Sequence, residues 1–136
     1  MIASRVNPGD TLDLILEVEK HKDTLVEKVE VFLTNQPPVT ATQLQNLLRL
    51  ASETTSPKEV LSFIKYQIGR EPHDKPEKWK WRKENFGERL IQILEGEVLI
   101  LHEDKRVKVR LMRLFLGYLR RQAVYLGPPS EEEERE

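Results

Sequence analysis

From Lys105 to Leu126 the apolar residues Val107, Leu111, Leu114, Phe115, Tyr118, Leu119, Tyr125 and Leu126 recur with helical period, and Gly127-Pro128-Pro129 closes the run. At about 100° per residue these side chains share one broad face of a single helix. A helix this long, greasy along one side, must bury that side against other elements. The remainder of the chain supplies helices to do it, so the expected fold is all-α: a compact bundle of about five helices.

The other elements read as follows. Asn7-Pro8-Gly9 makes a turn and Asp10 caps the first helix, which carries Ile15, Val18, Leu25, Val29 and Phe32 on one face, interrupted by Lys22. Pro37-Pro38 forces that helix to end by Asn35, and Asp23-Thr24 marks where a break would fall. Thr40 with Gln43 forms a capping box ahead of Leu44, Leu47, Leu48 and Ala51. Ser56-Pro57-Lys58-Glu59 forms a second box, with proline at the first helical position, ahead of Val60, Leu61, Ile64 and Ile68; Gly69 stops that helix. A polar connection follows from Arg70 to Pro76. A fourth helix is expected from the high seventies or low eighties to about Leu101, on Phe86, Leu90, Ile93, Leu94 and Leu101. Val98-Leu99-Ile100-Leu101 has the composition of a strand, but a lone strand has no partner. No internal repeat is present. Residues 1–127 form one domain and 128–136 an acidic tail, expected to be disordered.

Composition narrows the function. A length of 136 residues fits one domain, the usual size being ~100–200 residues. No run approaches the ~18 apolar residues of a membrane span, and the N-terminus lacks a signal-peptide pattern, so a soluble, cytoplasmic protein is expected. With no cysteine, disulfides, thiolate zinc sites and cysteine nucleophiles are excluded. His21, His73 and His102 stand far apart without an H-E-x-x-H arrangement, and neither G-x-x-x-x-G-K-[ST] nor G-x-G-x-x-G occurs. No catalytic residue, metal site or cofactor is assigned.

The net charge of −1 hides a division of sign. Residues 1–56 carry 5 basic and 8 acidic side chains, residues 57–127 carry 16 and 10, and the tail sets Arg135 against five glutamates. Such asymmetry fits a polyanion-binding face and a separate acidic tail, which could compete for that face. It also fits an acidic first helix (Asp13, Glu17, Glu27, Glu30) packed beside basic ones. The last helix sharpens the first reading. Arg106, Arg110, Arg113 and Arg120 recur at intervals of 4, 3 and 7, forming a stripe with a gap at Gly117. Guanidinium forks phosphate oxygens and never loses its charge, while a glycine lets another backbone come close. Trp79-Lys80-Trp81-Arg82-Lys83 alternates rings with cations, as base-stacking segments do; one core tryptophan and one half-exposed is the plainer account.

Three stretches resemble the small, all-helical subunit of type III CRISPR effector complexes, of the Csm branch. Thr40-Ala41-Thr42-Gln43-Leu44-Gln45-Asn46-Leu47-Leu48 is similar to its threonine-capped T-x-x-Q-[IL]-R-N-[IL]-L helix. Tyr66-Gln67-Ile68-Gly69-Arg70 is similar to its Y-x-x-G-R helix end, and Arg113-Leu114-Phe115 through Leu126-Gly127 to its closing helix. The likeness covers roughly residues 40–127. Gln45 stands where the family has arginine and Leu116 where it has glutamate; Arg120-Arg121-Gln122 stands near the family's Tyr-His pair. These departures mark a divergent branch.

The resemblance implies a non-catalytic role in antiviral defence. Copies of the subunit stack into a filament among the other subunits of the complex and line the channel that holds guide RNA paired to target RNA. Base pairing then supplies sequence choice and the protein reads backbone. On this reading the RNA-binding residues are Arg70, which matches the family's arginine, the stripe Arg106, Arg110, Arg113 and Arg120 with Arg121 beside it, and, from charge alone, Arg49 and Lys65. The alternative is a helical protein-interaction module that docks partner subunits without nucleic acid.

Overall fold

A computed structural model describes residues 8–128, and among them the secondary structure is helical throughout. The elements are α1 (Pro8–Glu19), α2 (Lys22–Phe32), α3 (Ala41–Glu53), α4 (Pro57–Gly69), α5 (Phe86–Ile93) and α6 (Lys105–Leu126). The sixth helix, beyond the expected five, arises because the first splits in two at Lys20-His21, ahead of Asp23-Thr24. Pro8, Gly9 and Asp10 lie inside α1 instead of forming a turn and cap. Asn7 and the acidic tail from Pro129 onward lie outside the described residues.

The core forms around α6, which packs chiefly on α3 and α2 and also on α1 and α4. Phe32 sits at its centre, with ring centroids 5.7 Å from Phe86 and 6.4 Å from Phe115; Trp81 lies 6.0 Å from Phe86. These tilted and edge-on contacts are the geometry aromatic pairs prefer. Val18, Leu25, Val29 and Phe32 are buried as their spacing requires, whereas Ile15 is 43 % exposed. The splitting of the helix takes Ile15 off the buried face. Four further residues of α6, Val109, Met112, Leu116 and Ala123, are buried, so its apolar arc is wider than the sequence pattern implies. Tyr125, placed in that arc by spacing, is 82 % exposed.

Local capping follows the sequence closely. Thr40 accepts the Gln43 N–H at 3.1 Å while its own N–H donates to Gln43 Oε1 at 2.8 Å, a complete box. Ser56 Oγ accepts the Glu59 N–H at 3.2 Å, but the reciprocal bond is rerouted: the Ser56 N–H donates to Thr54 Oγ1, and that hydroxyl donates to Glu59. Gly69 ends α4, and Gly127, at φ +100°, ends α6 with its N–H on Ala123 and Val124 carbonyls.

The fourth predicted helix begins later than expected, at Phe86. Glu71, buried, accepts the backbone N–H groups of Lys80 (2.8 Å), Trp81 (2.7 Å) and Arg82 (3.1 Å). Three donors taken by one carboxylate are unavailable to a helical ladder, so this segment stays a loop, with short 3-10 turns at Pro76–Lys78 and Lys83–Asn85. Glu84 (φ 55°) and Asn85 (φ 58°) then adopt the left-handed conformation that delays the helix start. Gly87 is required where α5 crosses α4, since a Cβ there would fall 2.6 Å from Ile68. Past Ile93 the helix continues as a π turn, Leu94–Val98, and a 3-10 turn, Leu99–Leu101, which takes up the strand-like stretch. No helix among the described residues is long and apolar enough to cross a membrane.

Candidate nucleic-acid interface

The first turn of α6 holds Lys105 and Arg106 and no acidic residue. Cations at this end oppose the helix dipole, whose positive pole lies there. Local capping offsets the conflict in part. Asp104 accepts the Arg106 N–H at 2.8 Å, and the Arg106 guanidinium grips the same carboxylate through Nε (3.1 Å) and Nη2 (2.9 Å). That guanidinium, with the backbone bond, holds the Asp104 carboxyl down at about 2. Arg106 is the member of the predicted stripe that pairs with a carboxylate of its own chain.

One turn and two turns further on stand Arg110 and Arg113. Arg113 crosses to the end of α3, its Nε donating to the Ala51 carbonyl (2.8 Å) and its Nη2 to the Thr54 carbonyl (2.9 Å). These oxygens belong to the unsatisfied end of a helix, so Arg113 acts as a side-chain cap of α3. Arg110 is exposed and makes no hydrogen bond or ion pair among the described residues, and the same holds for Lys105. Together Lys105, Arg106, Arg110 and Arg113, with Val109 and Thr55, line an open concavity of about 260 Å³. Four cations thus converge on one surface hollow with no carboxylate on its wall among the described residues. An anion entering it meets two guanidiniums with free forks or edges and the positive helix end.

The stripe does not continue evenly. Gly117 faces open space, with nothing within 4 Å of where a Cβ would lie, so it is no helix–helix contact. Arg120 is half-buried and its Nε has no partner among the described residues. Arg121 is exposed and lies over the Tyr118 ring, 5.7 Å from its centroid. Three further predicted residues sit outside the hollow's lining: Arg49 is bonded to Asn46 Oδ1 at 2.9 Å, Lys65 is exposed on α4, and Arg70 lies over Tyr66 at 5.8 Å. Conversely, Lys105 and Thr55 line the hollow without having been singled out. Lys105 was legible as the residue beside Arg106, whereas Thr55 arrives only through the packing of α3 on α6.

The tryptophan segment is structural. Trp81 is 2 % exposed, and Trp79 is pinned by its indole N–H on the Pro72 carbonyl at 2.8 Å, one ring face covered by Arg82 at 5.4 Å. Base stacking on this pair is therefore not what the geometry offers. Among the described residues no group of three histidines, aspartates or glutamates is placed to hold a metal ion. Comparison with family models, curated proteins and solved structures finds no match to this chain.

Proposed function

We propose that this protein is a non-catalytic RNA-binding scaffold subunit, of the kind the sequence resembles in type III CRISPR effector complexes, and that its α6 hollow holds ribose-phosphate backbone. The observation that carries the reading is the convergence of Lys105, Arg106, Arg110 and Arg113 on one concavity with no carboxylate in its lining among the described residues, where Lys105 and Arg110 also have no hydrogen bond or ion pair. The lining is cationic apart from Thr55 and Val109, which fits contact with phosphate, the part of the strand that carries no sequence. Guide RNA and target RNA are the expected ligands, and other subunits and further copies of the chain the expected neighbours.

Backbone contact of this kind has a quantitative signature. Affinity for a uridine oligonucleotide falls with salt on a log–log plot, with slope about −0.7 for each phosphate neutralised on a single strand. Replacing Lys105 and Arg110 with alanine flattens that slope by about two such contacts. A salt-independent affinity, or a slope unmoved by the double variant, refutes the assignment.

A second reading, a protein-docking module, draws on α1, where Leu12, Ile15 and Leu16 stand exposed at helical spacing. Native purification separates the two: heteromers free of RNA favour docking alone, and heteromers that carry RNA favour the scaffold.

A further inference from the structure

Between α2 and the C-terminal half of α6 lies a second concavity, of about 300 Å³, lined by Val26, Val29, Glu30, Tyr118, Arg121, Gln122 and Tyr125. Gln122 fixes the spacing of its walls, donating through Nε2 to the Leu33 carbonyl at 3.2 Å. Tyr118 and Tyr125 stand two helical turns apart on the same side of α6, and Arg121 between them lies over the Tyr118 ring. Tyr125 holds a large ring almost wholly in water on an ordered helix. The opposite wall is α2, with Val26 and Val29 at the floor and Glu30 exposed at the rim. Glu30 makes no hydrogen bond or ion pair among the described residues.

We infer that this slot binds a guanine base. Apolar floor, aromatic wall and a guanidinium beside them form the surroundings that stack a nucleobase. An ionised carboxylate only accepts hydrogen bonds, and it accepts two side by side. Of the four RNA bases, guanine alone presents two adjacent donors on its Watson–Crick edge, N1–H and the N2 amino group, so Glu30 selects it. Arg121 stands where it can meet the attached phosphate. Placement along α6 fits a continuous strand: residue 121 lies 11 positions beyond Arg110, roughly 16 Å at helical rise. The base slot extends the backbone-binding reading and uses none of the residues of the first hollow.

The guanine may belong to a strand or to a free nucleotide, and the experiment has an arm for each. Fluorescence anisotropy compares a uridine oligonucleotide with the same oligonucleotide carrying one central guanine; calorimetry compares GMP with AMP, CMP and UMP. A guanine in place of uridine is expected to tighten binding about tenfold, the scale of a hydrogen bond to a charged acceptor. Glu30→Gln, at an exposed position, should erase that preference while leaving affinity for the uridine strand in place; Tyr125→Ala, also exposed, should lower affinity for the guanine strand to the uridine level or below. A GMP preference of the same sensitivity, without one in the strand, supports the site and assigns it to free nucleotide. Equal binding of all four nucleotides and both strands overturns the proposal, as does a guanine preference that survives both substitutions. If Tyr125→Ala instead impairs only assembly with protein subunits, the slot is a protein contact and the proposal falls. Failure here leaves the uridine-strand salt slope untouched, and failure of that slope leaves the guanine comparison readable.

Discussion

Two basic stretches of this chain have opposite fates. Between residues 71 and 89 both arginines are engaged internally, while Lys75, Lys78 and Lys83 stay on the surface. Arg82 donates from Nε to the Ile68 carbonyl at 2.9 Å and covers Trp79, while Arg89 donates to the Phe32 carbonyl at 3.0 Å and lies 4.9 Å over its ring. Glu71 gathers three backbone N–H groups in the same loop. Between residues 105 and 113 four cations converge on a solvent-open hollow instead. Arg106 and Arg113 do both, the one gripping Asp104 and the other capping α3 while they line it, and Lys108 is turned to the Leu99 carbonyl. A run of lysine and arginine therefore says little until one asks which carbonyls and rings lie within reach. Where acceptors are near, arginine is a structural strut; where they are absent, it is a contact waiting for an anion.

The sharpest way to break that contrast is Glu71→Ala. It leaves three N–H groups of a part-buried loop without their acceptor, and urea denaturation should show a loss of about 3 kcal/mol or more. RNA affinity at low denaturant should be nearly unchanged, since the loop is not part of the hollow. Next comes Arg113→Ala, expected to cost about 2 kcal/mol through its two charged hydrogen bonds and to weaken RNA binding as well. Arg110→Ala in the same assays should move stability by no more than about 0.5 kcal/mol while still weakening RNA. If the two arginines behave alike in both measurements, the contrast is wrong.

Asp104→Ala removes the cap of α6, with an expected loss of about 1 kcal/mol. Because the folded carboxyl is held at about 2 against an ordinary 3.8, its charge-dependent share is present above about pH 4 and is lost as pH falls towards 2. Its Arg106 partner is 54 % exposed, so solvent screens the pair and the share is small. Thermal melts of wild type and Asp104→Asn between pH 6 and pH 2 should converge at the acid end. Smallest of all, Gly117→Ala should stabilise α6 by up to about 1 kcal/mol, because the added methyl meets nothing. A simultaneous loss of RNA affinity would show that the missing side chain makes room for the strand.

What the sequence disclosed follows from how local each interaction is. The caps at Thr40 and Ser56 depend on residues three apart, and the convergence of Arg106, Arg110 and Arg113 on helical period alone, so all were legible. The loop before α5 was not, because Glu71 binds main-chain N–H groups that every residue but proline carries. Nor did spacing reveal that Arg113 would find the carbonyls of α3, or that Thr55 would complete the hollow, since both need helices distant in sequence to meet. Arg49, Lys65 and Arg70 share no period with the stripe, and the structure gives them separate neighbours.

The wide turn at Leu94–Val98 has its own arithmetic. It accommodates an additional residue relative to an ordinary helical turn, and each residue advances the following side chains by about 100°. Gly96 lies within it with open space where a methyl would go. Swapping that glycine for a bulkier residue is therefore tolerable, whereas excising it would swing buried Val98 and the start of the next turn out of register with α6. At this point in the chain, residue number matters more than residue identity.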